Sequence, residues 1–457
     1  MKILFCASEV APFAKTGGLA DVAGSLPPAL GELGLEVVIA MPRYRGIKLR
    51  KKALSENVRI YFIENEAYFN RASLYGGSQG DYPDNLERFS FFCREVFALA
   101  KRIGFKPDIL HANDWQTALL PVLLKRPFSS DAFFEKTKTV LTIHNIAYQG
   151  NFPHRLYPVL GLPDELFSVK GFGFYSKISL LKAGLLFSDG INTVSPMYAE
   201  EIKTKVYGFG LEGVIRERQD RLRGILNGID TALWDPARDR WIKEIFSAKE
   251  PDGKRFCKED LQKLCGFEVN PDIPVFGMVT RLAEQKGLEL LSEIAERFLS
   301  KPVQFVLVGD GDDVYQTMLK NIRARHPGNT AVFLGFHTAE AHQIYAGADF
   351  FLMPSFFEPC GLGQLISLRY GTVPVVRRTG GLADTIPDAD ENPKTGNGFV
   401  FDGHSPEAFL KAIERGLLAF QDKKRFTGIQ KIGMKADFSW HKSALEYKKF
   451  YREILTA

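Results

Sequence analysis

Short hydrophobic, β-branched runs alternate with amphipathic stretches along almost the whole chain. Such runs predict strands, and apolar residues that recur every three or four positions predict helices between them. The predicted strands are Ile3–Ala7, Glu36–Met41, Arg59–Ile63, Ile109–Ala112, Thr139–Ile143, Gly190–Val194, Val275–Val279, Gln304–Val308, Ala331–Leu334, Phe350–Met353 and Val373–Arg377. The predicted helices include Leu19–Leu33, Val96–Ile103, Gln116–Lys125, Tyr175–Phe187, Gly287–Leu299, Val314–Arg325, Ala339–Ala348 and Gly363–Tyr370. This alternation predicts an α/β protein whose parallel sheets are covered by helices on both sides.

The alternation forms two series, each of a size that suits one doubly wound domain. Between them lies Asp230–Phe256, a polar segment with two prolines and a glycine. A chain of 457 residues is also too long for one ordinary hydrophobic core. We therefore expect a Rossmann-like N-terminal domain over 1–238, a second over 239–436, and a C-terminal segment over 437–457. The helix-like stretch Ser439–Leu455 in that segment could pack on either domain.

Composition narrows the class of protein. Hydrophobic residues make up 45% of the chain, and the net charge of +5 is small for this length. This balance argues against a nucleic-acid partner but allows a locally positive site for a small anion. Five scattered cysteines without a CxxC pair are typical of a reduced, cytoplasmic protein with neither disulfides nor structural zinc. The apolar N-terminus suits a first strand better than a signal peptide, and no apolar run has membrane-spanning length.

Polar residues follow several predicted strands of the first series. They therefore lie at the carboxyl ends of the strands, where ligands bind in open α/β sheets. Lys15 precedes Gly17 and Gly18 at the start of a helix, a pattern that suits a phosphate and that a plain glycine turn would also explain. The cluster HANDW ends in Asp114 and Trp115, which suits a sugar but is equally well explained by a helix cap with a core tryptophan. His144 follows the next strand. A lone histidine is more often structural, but its position at the end of a strand shifts the interpretation toward function.

The second series carries charged residues at comparable positions. Arg281 and Lys286 flank the turn after Val275–Val279 and could hold a diphosphate, although ordinary solvated charges are the alternative. Glu358 stands in a proline- and glycine-rich turn before a helix, where the backbone N–H groups of Gly361–Gly363 form a candidate anion site. Glu358 would then serve a sugar hydroxyl or a ribose. The six residues TGGLAD also occur twice, at 16–21 and at 379–384.

Other motifs carry less weight. Asp310 and Asp312, and likewise Asp388 and Asp390, match the Asp-x-Asp of metal-dependent sugar transferases, but the second pair lies in an acidic loop. Neither GxGxxG after the first strand nor a Walker A motif occurs, which argues against NAD and ATP-hydrolysis functions. These absences predict no cofactor, and the pair Asp310 and Asp312 keeps a small chance of being functional.

Taken together, the motifs resemble the glycogen synthases of bacteria and the starch synthases of plant plastids. The matching segments are KTGGLADVAGSLP, HANDWQTALLP, TIHNIAYQG, NTVSPMYAEEI, LNGIDTALWDP, TRLAEQKG, PSFFEPCGLGQL and TGGLADTI, in family order from residue 15 to 386. The resemblance implies the GT-B fold, two Rossmann-like domains around a cleft, with a C-terminal helix that crosses back to the N-terminal domain. It implies transfer of glucose from a nucleotide-glucose, usually ADP-glucose, to the 4-hydroxyl at the non-reducing end of an α-1,4-glucan such as glycogen. The configuration is retained and no metal is needed.

The resemblance also assigns roles to single residues. Lys15 and Gly18 would contact the phosphate and glucose of the donor, and Arg281 and Lys286 would stabilise the leaving diphosphate. Glu358, the family's essential acid, would bind glucose hydroxyls. His144 would hold the 6-hydroxyl and direct its backbone carbonyl at the oxocarbenium-like centre. The remaining expected contacts are Asp114 and Trp115 to the acceptor, Asn227 to glucose, Phe336 to adenine, and Cys360, Gly361, Leu362, Thr379, Gly380 and Gly381 on the nucleotide side.

Three positions depart from the pattern. Ile366 replaces a second glutamate common in related retaining enzymes, Gly363 replaces a threonine, and Asn113 replaces a frequent histidine. Two alternatives stay open, a phosphorylase or epimerase of the same fold and a non-catalytic glucan- or nucleotide-binding protein. A phosphorylase would need a pyridoxal-phosphate lysine, for which no motif is present, and mere glucan binding would not need a diphosphate site.

Overall fold

The computed structural model describes residues 1–77, 80–335 and 337–456, which form two compact units. The first contains Met1–Gly228 and the chain from Trp440 onward, and the second contains Ile229–Ser439. These divisions differ from the predicted ones after 238 and 436. Asp239 gives the reason for the first difference, because its buried carboxylate accepts hydrogen bonds from His342 and Tyr370, each at 2.6 Å. The polar segment predicted as a boundary is therefore packed into the second unit.

The first unit is built on an eight-stranded sheet with the order β13-β12-β8-β7-β1-β2-β4-β3. Among its described pairings only that of β3 with β4 is antiparallel. The described strands of the unit are β1 Lys2–Cys6, β2 Glu36–Pro42, β3 Lys51–Ser55, β4 Val58–Ile63, β5 Gly76–Gly77, β6 Gly80–Asp81, β7 Ile109–Asn113, β8 Lys138–Ile143, β9 Asn151–Pro153, β10 Gly173–Phe174, β11 Lys177–Ser179, β12 Gly190–Thr193 and β13 Leu222–Gly224. Strands β7 and β12 are buried throughout, as is typical of a parallel sheet that is covered on both sides.

Helices cover this sheet, and several begin at side-chain caps. The Ser179 hydroxyl accepts a hydrogen bond from the Lys182 N–H at 3.3 Å and starts the helix that follows. The helices of this part of the chain are α1 Gly18–Glu32, α2 Glu66–Phe69, α3 Asn85–Arg102, α4 Asp114–Thr117, α5 Leu119–Lys125, α6 Leu180–Phe187, α7 Pro196–Glu201 and α8 Glu212–Glu217, with 3₁₀ turns at His154–Leu160, Asp164–Leu166 and Gln219–Arg221.

The second unit contains a six-stranded sheet with the order β16-β15-β14-β17-β18-β19, and its described pairings are all parallel. This is the order 3-2-1-4-5-6 of dinucleotide-binding folds. The strands are β14 Val275–Leu282, β15 Gln304–Gly311, β16 Thr330–Leu334, β17 Phe350–Met353, β18 Val373–Arg377 and β19 Phe399–Phe401. The helices are α9 Gly253–Leu264, α10 Leu288–Leu299, α11 Asp313–Arg325, α12 Thr338–Gly347, α13 Gly363–Arg369, α14 Gly380–Thr385, α15 Pro406–Gln421 and α16 Lys423–Lys435, with a 3₁₀ turn at Glu284–Lys286.

Both sides of the second sheet are packed. Val275 and Phe276, neighbours in β14, belong to two different hydrophobic clusters. Because successive strand residues point to opposite sides of a sheet, each cluster lies on one side. The two Rossmann-like units confirm the predicted α/β class.

The last helix, α17 Trp440–Thr456, packs on the first unit. The Tyr451 hydroxyl lies 2.7 Å from His111 Nδ1, and the Asn192 side chain donates to the Tyr447 hydroxyl at 2.9 Å. Gly190 lies directly beneath this helix, since a Cβ there would come within 2.2 Å of Ile454. The helix therefore returns to the N-terminal unit, as the resemblance implied. Within the described ranges no helix is long and apolar enough to cross a membrane.

One predicted helix is wrong over its first turn. The stretch Tyr175–Phe187 begins as the hairpin of β10 and β11, and its helix starts only at Leu180. Tyr175 and Ser176 adopt left-handed backbone angles, with φ of 46° and 61°, and form the hairpin turn. This turn lacks the usual Asn-Gly sequence, and for that reason the pattern gave no signal for it.

Candidate active site

In each unit the strand order reverses once, and the loops after the two central strands meet at that point. The reversal lies between β1 and β7 in the first unit and between β14 and β17 in the second. Ligands of doubly wound sheets bind outside the carboxyl ends of these strands. Residues predicted from the sequence as functional follow all four strands.

The loop after β1 is held by Glu9, a residue that the sequence reasoning missed. Glu9 is 4% exposed, and its carboxylate accepts hydrogen bonds from the Thr16 N–H at 2.5 Å, the Gly17 N–H at 3.3 Å and the Tyr75 hydroxyl at 2.9 Å. A buried carboxylate is stable only with such donors. The KTGG turn is therefore preorganised. The available sequence signal was a single glutamate at the end of an apolar run.

Lys15 and the two glycines lie on the accessible side of this turn. The Lys15 ammonium is 2.6 Å from Asp21 in the first turn of α1, and its side chain is 54% exposed. An exposed pair of this kind contributes only about 0–1 kcal/mol, so Lys15 can exchange Asp21 for another anion at little cost. Among the described residues, no atom lies within 4 Å of a Cβ built on Gly17 or Gly18. The backbone there is open to close approach.

Asn113 and Asp114 at the end of β7 both bind residue 144 at the end of β8. The Asn113 side-chain oxygen, Oδ1, is 2.9 Å from His144 Nε2, and the Asp114 carboxylate accepts the His144 backbone N–H at 2.7 Å. Successive side chains of a strand point in opposite directions. Asp114 has φ of 56°, a left-handed conformation that reverses this alternation and is costly for a residue other than glycine. Such strain is concentrated at functional sites.

Burial determines the protonation states of His111, Asp114 and His144. It lowers the pKa of His144 to about 3 and, helped by the neighbouring His144, that of His111 to about 3. Burial also raises the pKa of Asp114 to about 7, against the opposing effect of the N–H groups that bind it. Both histidines are therefore neutral at physiological pH, whereas Asp114 titrates close to it.

Trp115 and Asn227 occupy different environments. The Trp115 ring is 8% exposed and packs edge-on against Phe89 and Phe152, and a Cβ on Gly150 would come within 2.6 Å of it. Trp115 is thus a core residue of the first unit. Asn227 follows β13 and is 6% exposed. Its side-chain oxygen, Oδ1, accepts no hydrogen bond from the described residues. A buried unsatisfied acceptor is costly, which makes Asn227 a ready partner for a ligand hydroxyl.

In the second unit, Lys286 and Glu358 form an ion pair where the strand order reverses. Lys286 Nζ lies 2.6 Å from the Glu358 carboxylate, and the two side chains are 14% and 7% exposed. Ser355 donates to the same carboxylate oxygen at 2.9 Å. Arg281 at the end of β14 is exposed, and Gln285 is the one hydrogen-bond partner of its guanidinium in the described part of the chain, at 3.4 Å. The pair is neutral overall, so Arg281 supplies the uncompensated positive charge.

The two loops that carry this pair are fastened to each other. Gln285 donates to the Phe357 carbonyl at 3.0 Å, and the Phe356 N–H donates to the Gln285 carbonyl at 2.9 Å. Gly287 has φ of 66° and lies against Pro354, whose carbonyl would be 2.0 Å from a Cβ. Arg377, at the end of β18, binds the carbonyls of the same loop through its guanidinium. No pattern in the sequence singled out Gln285 or Arg377 for this role.

The remaining predicted contacts of the second unit lie together beside Glu358. The Gly381 N–H donates to the Glu358 carbonyl at 3.0 Å, and a Cβ on Gly381 would be 2.1 Å from the Cys360 carbonyl. Gln364, missed from the sequence, is buried and donates to the Cys360 and Gly361 carbonyls at 2.9 and 3.0 Å. Thr379, Cys360 and Gly380 are buried, whereas Leu362 is half-buried. Because α13 and α14 have seven and six residues, their dipoles add little.

Other positions singled out in the sequence have structural explanations. Ile366 is a core residue, and Gly363 lies 2.9 Å, measured from a built Cβ, from the Phe351 ring. Asp388 is buried and binds Arg415 and the Val400 N–H. No group of three or more potential metal ligands occurs within residues 1–77, 80–335 and 337–456. Phe336 lies outside the described residues.

Comparison with known proteins defines the class. The family described as "Starch synthase catalytic domain" matches residues 2–217, and "Glycosyl transferases group 1" matches residues 267–427. Together with the two Rossmann-like units, these matches make the protein a glycosyltransferase.

Full-length relatives narrow the assignment. The chain is 48% identical to the glycogen synthase of Geotalea daltonii, with 100% of this chain and 99% of that protein covered. It is 46% identical to glycogen synthase 2 of Geobacter sulfurreducens, with 99% and 98% covered. The chain belongs to the glycogen and starch synthase family.

Solved structures agree with this assignment. The catalytic domain of starch synthase IV from Arabidopsis thaliana, bound to ADP and acarbose, superposes with a TM-score of 0.91 at 32% identity, covering 100% of this chain and 99% of that one. A sucrose-phosphate synthase from Thermosynechococcus elongatus, at 18% identity, gives a TM-score of 0.66, with 100% of this chain and 99% of that one covered, and shares the fold.

Proposed function

We propose that this glycosyltransferase moves glucose from ADP-glucose to the non-reducing-end 4-hydroxyl of an α-1,4-glucan, with retention, and so extends glycogen in the cytoplasm. The observation that carries the proposal is the buried Lys286–Glu358 pair beside the exposed Arg281. A protein that only binds glucan has no use for a buried acid beside two cations at the ligand-binding edge of a nucleotide-type sheet.

The second unit would stabilise the leaving diphosphate. The Lys286 ammonium has three N–H donors, and Glu358 uses one of them, so the others can reach a phosphate oxygen. The Arg281 guanidinium would add a planar fork suited to the same group. Preorganised cations of this kind stabilise the charge that develops as the glycosidic bond breaks. Glu358 would then bind glucose hydroxyls with its remaining lone pairs.

The first unit would act on the sugar and the acceptor. His144, neutral because of its low pKa, would accept a hydrogen bond from the glucose 6-hydroxyl and present its backbone carbonyl to the oxocarbenium-like centre. The buried side-chain oxygen of Asn227 would accept a hydrogen bond from a glucose hydroxyl. Lys15 and Gly18 would contact the phosphate and glucose. We place Asp114 and Trp115 on the acceptor side. Trp115 would act there indirectly, through its packing in the core of the first unit.

An adenine nucleotide is the favoured donor. The starch synthase IV structure, which is 32% identical to this chain, was bound to ADP. Phe336 would stack on the adenine, and the backbone between Cys360 and Leu362, together with Thr379–Gly381, would line the nucleotide. In this proposal the acceptor hydroxyl attacks on the side from which the phosphate leaves, and the leaving phosphate takes the acceptor's proton.

No metal ion takes part in the proposed reaction, since Arg281 and Lys286 carry the charge role. Activity should therefore be unchanged by EDTA. Loss of activity on chelation, restored by a divalent cation, would overturn this part of the proposal and redirect attention to Asp310 and Asp312.

The decisive experiment measures release of nucleotide diphosphate from ADP-glucose and from UDP-glucose in parallel, with and without glycogen. We expect release that requires glycogen and is faster with ADP-glucose. Faster release with UDP-glucose would refute the donor assignment alone. Phosphorolysis of glycogen without a nucleotide would indicate a phosphorylase, and absence of turnover with either donor would refute the enzymatic function.

A further inference from the structure

Asn113 joins two elements in the first unit without touching solvent. Its side chain is fully buried at the end of β7. The amide nitrogen donates to the Cys6 carbonyl in β1 at 3.0 Å, and the amide oxygen lies 2.9 Å from His144 Nε2 after β8. One side chain therefore connects the end of the first strand to the histidine ring.

These two contacts fix which way the amide is turned. The Cys6 carbonyl can only accept, so the NH₂ group must point toward it and the oxygen toward His144. An amide oxygen cannot donate, so His144 Nε2 must carry the proton. Because burial keeps the ring neutral, the other nitrogen, Nδ1, has no proton and is an acceptor. No described residue forms a hydrogen bond with it.

We propose that Asn113 is a positioning residue that holds His144 as the Nε2-protonated tautomer, and that Nδ1 thereby accepts a hydrogen bond from a hydroxyl of the donor sugar. The inference rests on the proposed function for the identity of that hydroxyl, but not for the tautomer. A hydroxyl can donate to Nδ1, whereas an ether or carbonyl oxygen cannot. The site would discriminate against a sugar that lacks the hydroxyl, because Nδ1 would be left unpaired.

The backbone supports the same geometry. Asp114 follows Asn113 with its left-handed φ and binds the His144 N–H, so two successive residues hold the ring and the main chain of one histidine. Neither His144 nor its hydroxyl partner then has to reorient during binding. Asn113 thus acts through His144, and its loss should change tautomer and discrimination rather than abolish the fold.

The tautomer is tested by ¹⁵N NMR of the histidine rings in the full chain, with the His144 signals identified by their loss in His144→Gln. A protonated and an unprotonated ring nitrogen have well-separated shifts. We expect Nε2–H in the native protein and in Asn113→Asp, whose carboxylate still accepts, but a mixture in Asn113→Ala. The matched control is Asn192→Ala, which removes another fully buried asparagine of the same sheet and should leave Nε2–H intact. If Asn113→Ala does not fold, Asn113→Leu, similar in volume, takes its place.

Native His144 protonated at Nδ1, or an unchanged tautomer in Asn113→Ala, would overturn the proposal. Kinetics supply a second test with ADP-glucose and its 6-deoxyglucose analogue. The native enzyme should prefer ADP-glucose by about tenfold in kcat/KM, and Asn113→Ala should lose most of that preference. A preference unchanged in Asn113→Ala would refute the role in discrimination. Failure of the native protein to use either donor would refute the proposed function and leave the NMR result standing.

Discussion

Residues 16–21 and 379–384 share the sequence TGGLAD, and each copy follows a parallel strand and begins a helix. Each is also held by a glutamate of its own unit. In the first copy the Glu9 carboxylate accepts the N–H groups of Thr16 and Gly17. In the second the Gly381 N–H donates to the backbone carbonyl of Glu358, and the Glu358 side chain is left to pair with Lys286.

The glycines of the two copies also have different surroundings. No atom of the described residues lies within 4 Å of a Cβ built on Gly17 or Gly18, whereas one on Gly381 would overlap the Cys360 carbonyl at 2.1 Å. Glycine is therefore needed at 381 for packing within the unit. At 17 and 18 the fold itself does not demand it, which favours a role toward a ligand.

This difference shows that an identical sequence does not imply an identical task. In the first copy the Glu9 carboxylate holds the turn through hydrogen bonds, and the glycines of the turn are open to close approach. In the second copy the turn is closed by packing, and the glutamate side chain pairs with Lys286 instead of holding the turn. The four predictions below test this contrast, beginning with the largest expected effect.

Removing either partner of the Lys286–Glu358 pair should lower kcat by at least ~10²-fold, or about 2.7 kcal/mol in the barrier, because the diphosphate or the glucose loses its buried partner. Glu358→Ala and Lys286→Ala would be measured by ADP release from ADP-glucose and glycogen. Lys301→Ala, which removes a half-exposed lysine paired with Glu414 in the same unit, is the matched control and should keep native rates. Near-native turnover in a folded Glu358→Ala or Lys286→Ala protein would contradict the site assignment.

Replacing one glycine by alanine in each turn should affect stability at the second turn and donor binding at the first. Gly381→Ala is expected to lose about 1–3 kcal/mol of stability, because the Cβ overlaps backbone that cannot move aside. Gly18→Ala should change stability by no more than about 0.5 kcal/mol while raising the KM for donor. Thermal unfolding and donor saturation curves measure both. Equal destabilisation by the two changes would remove the contrast.

Glu9→Gln should weaken the first turn without unfolding the unit. A glutamine has only one acceptor oxygen, so its NH₂ group would face either the Tyr75 hydroxyl or the Thr16 and Gly17 N–H groups, and a tenfold fall in kcat/KM, about 1.4 kcal/mol, is the expected size. Glu36→Gln, which alters an exposed pair with Lys2 on the same sheet, should have no such effect. If both variants retained native kcat/KM, Glu9 would have no part in preorganising the site.

Acid should destabilise the first unit, and Asp114 should moderate the effect. The pKa of His111 and of His144 falls from 6.5 to about 3 on folding, so between these values the unfolded chain binds protons that the folded one does not, and stability falls as pH falls. Asp114, raised from 3.8 to about 7, has the opposite sign: its contribution is present at low pH and is lost as pH rises through 7.

Between pH 4.5 and 5.5 these three groups give a net difference of about one proton, two for the histidines less one for Asp114. Asp114→Asn removes the opposing proton, so its stability should fall more steeply toward acid by about 1.4 kcal/mol per pH unit. Thermal unfolding of both proteins across this range checks the sign. Parallel profiles would show that Asp114 is already ionised in the folded state.

Sequence patterns gave most of the fold because burial on both sides of a parallel sheet leaves continuous apolar runs. The strands that they missed were short or exposed, such as β3, β13 and β19. The pattern also joined the β10–β11 hairpin to α6, since alternation over three residues is too short to be distinguished from the first turn of a helix. Helix α9 was missed because its first turn lies in the polar segment interpreted as a domain boundary.

Some residues of the candidate site could likewise be predicted from the sequence, and others could not. Residues in or just before the turn that follows a strand, such as His144 and Lys286, could be singled out from the sequence, because the carboxyl ends of strands are where such sheets bind ligands. Residues that hold others could not. Glu9, Gln285 and Arg377 act through hydrogen bonds to main-chain atoms, and no sequence pattern encodes such partners.

By itself, the sequence determined the α/β class, two series of strands and helices, and the family to which the chain belongs, because periodicity and motif order are properties of the chain alone. The tertiary structure alone decided which TGGLAD turn is open, that Trp115 is a core residue, and that Asn113 directs its oxygen at His144. Those facts depend on the distance between atoms brought together by different strands, and only folding sets that distance.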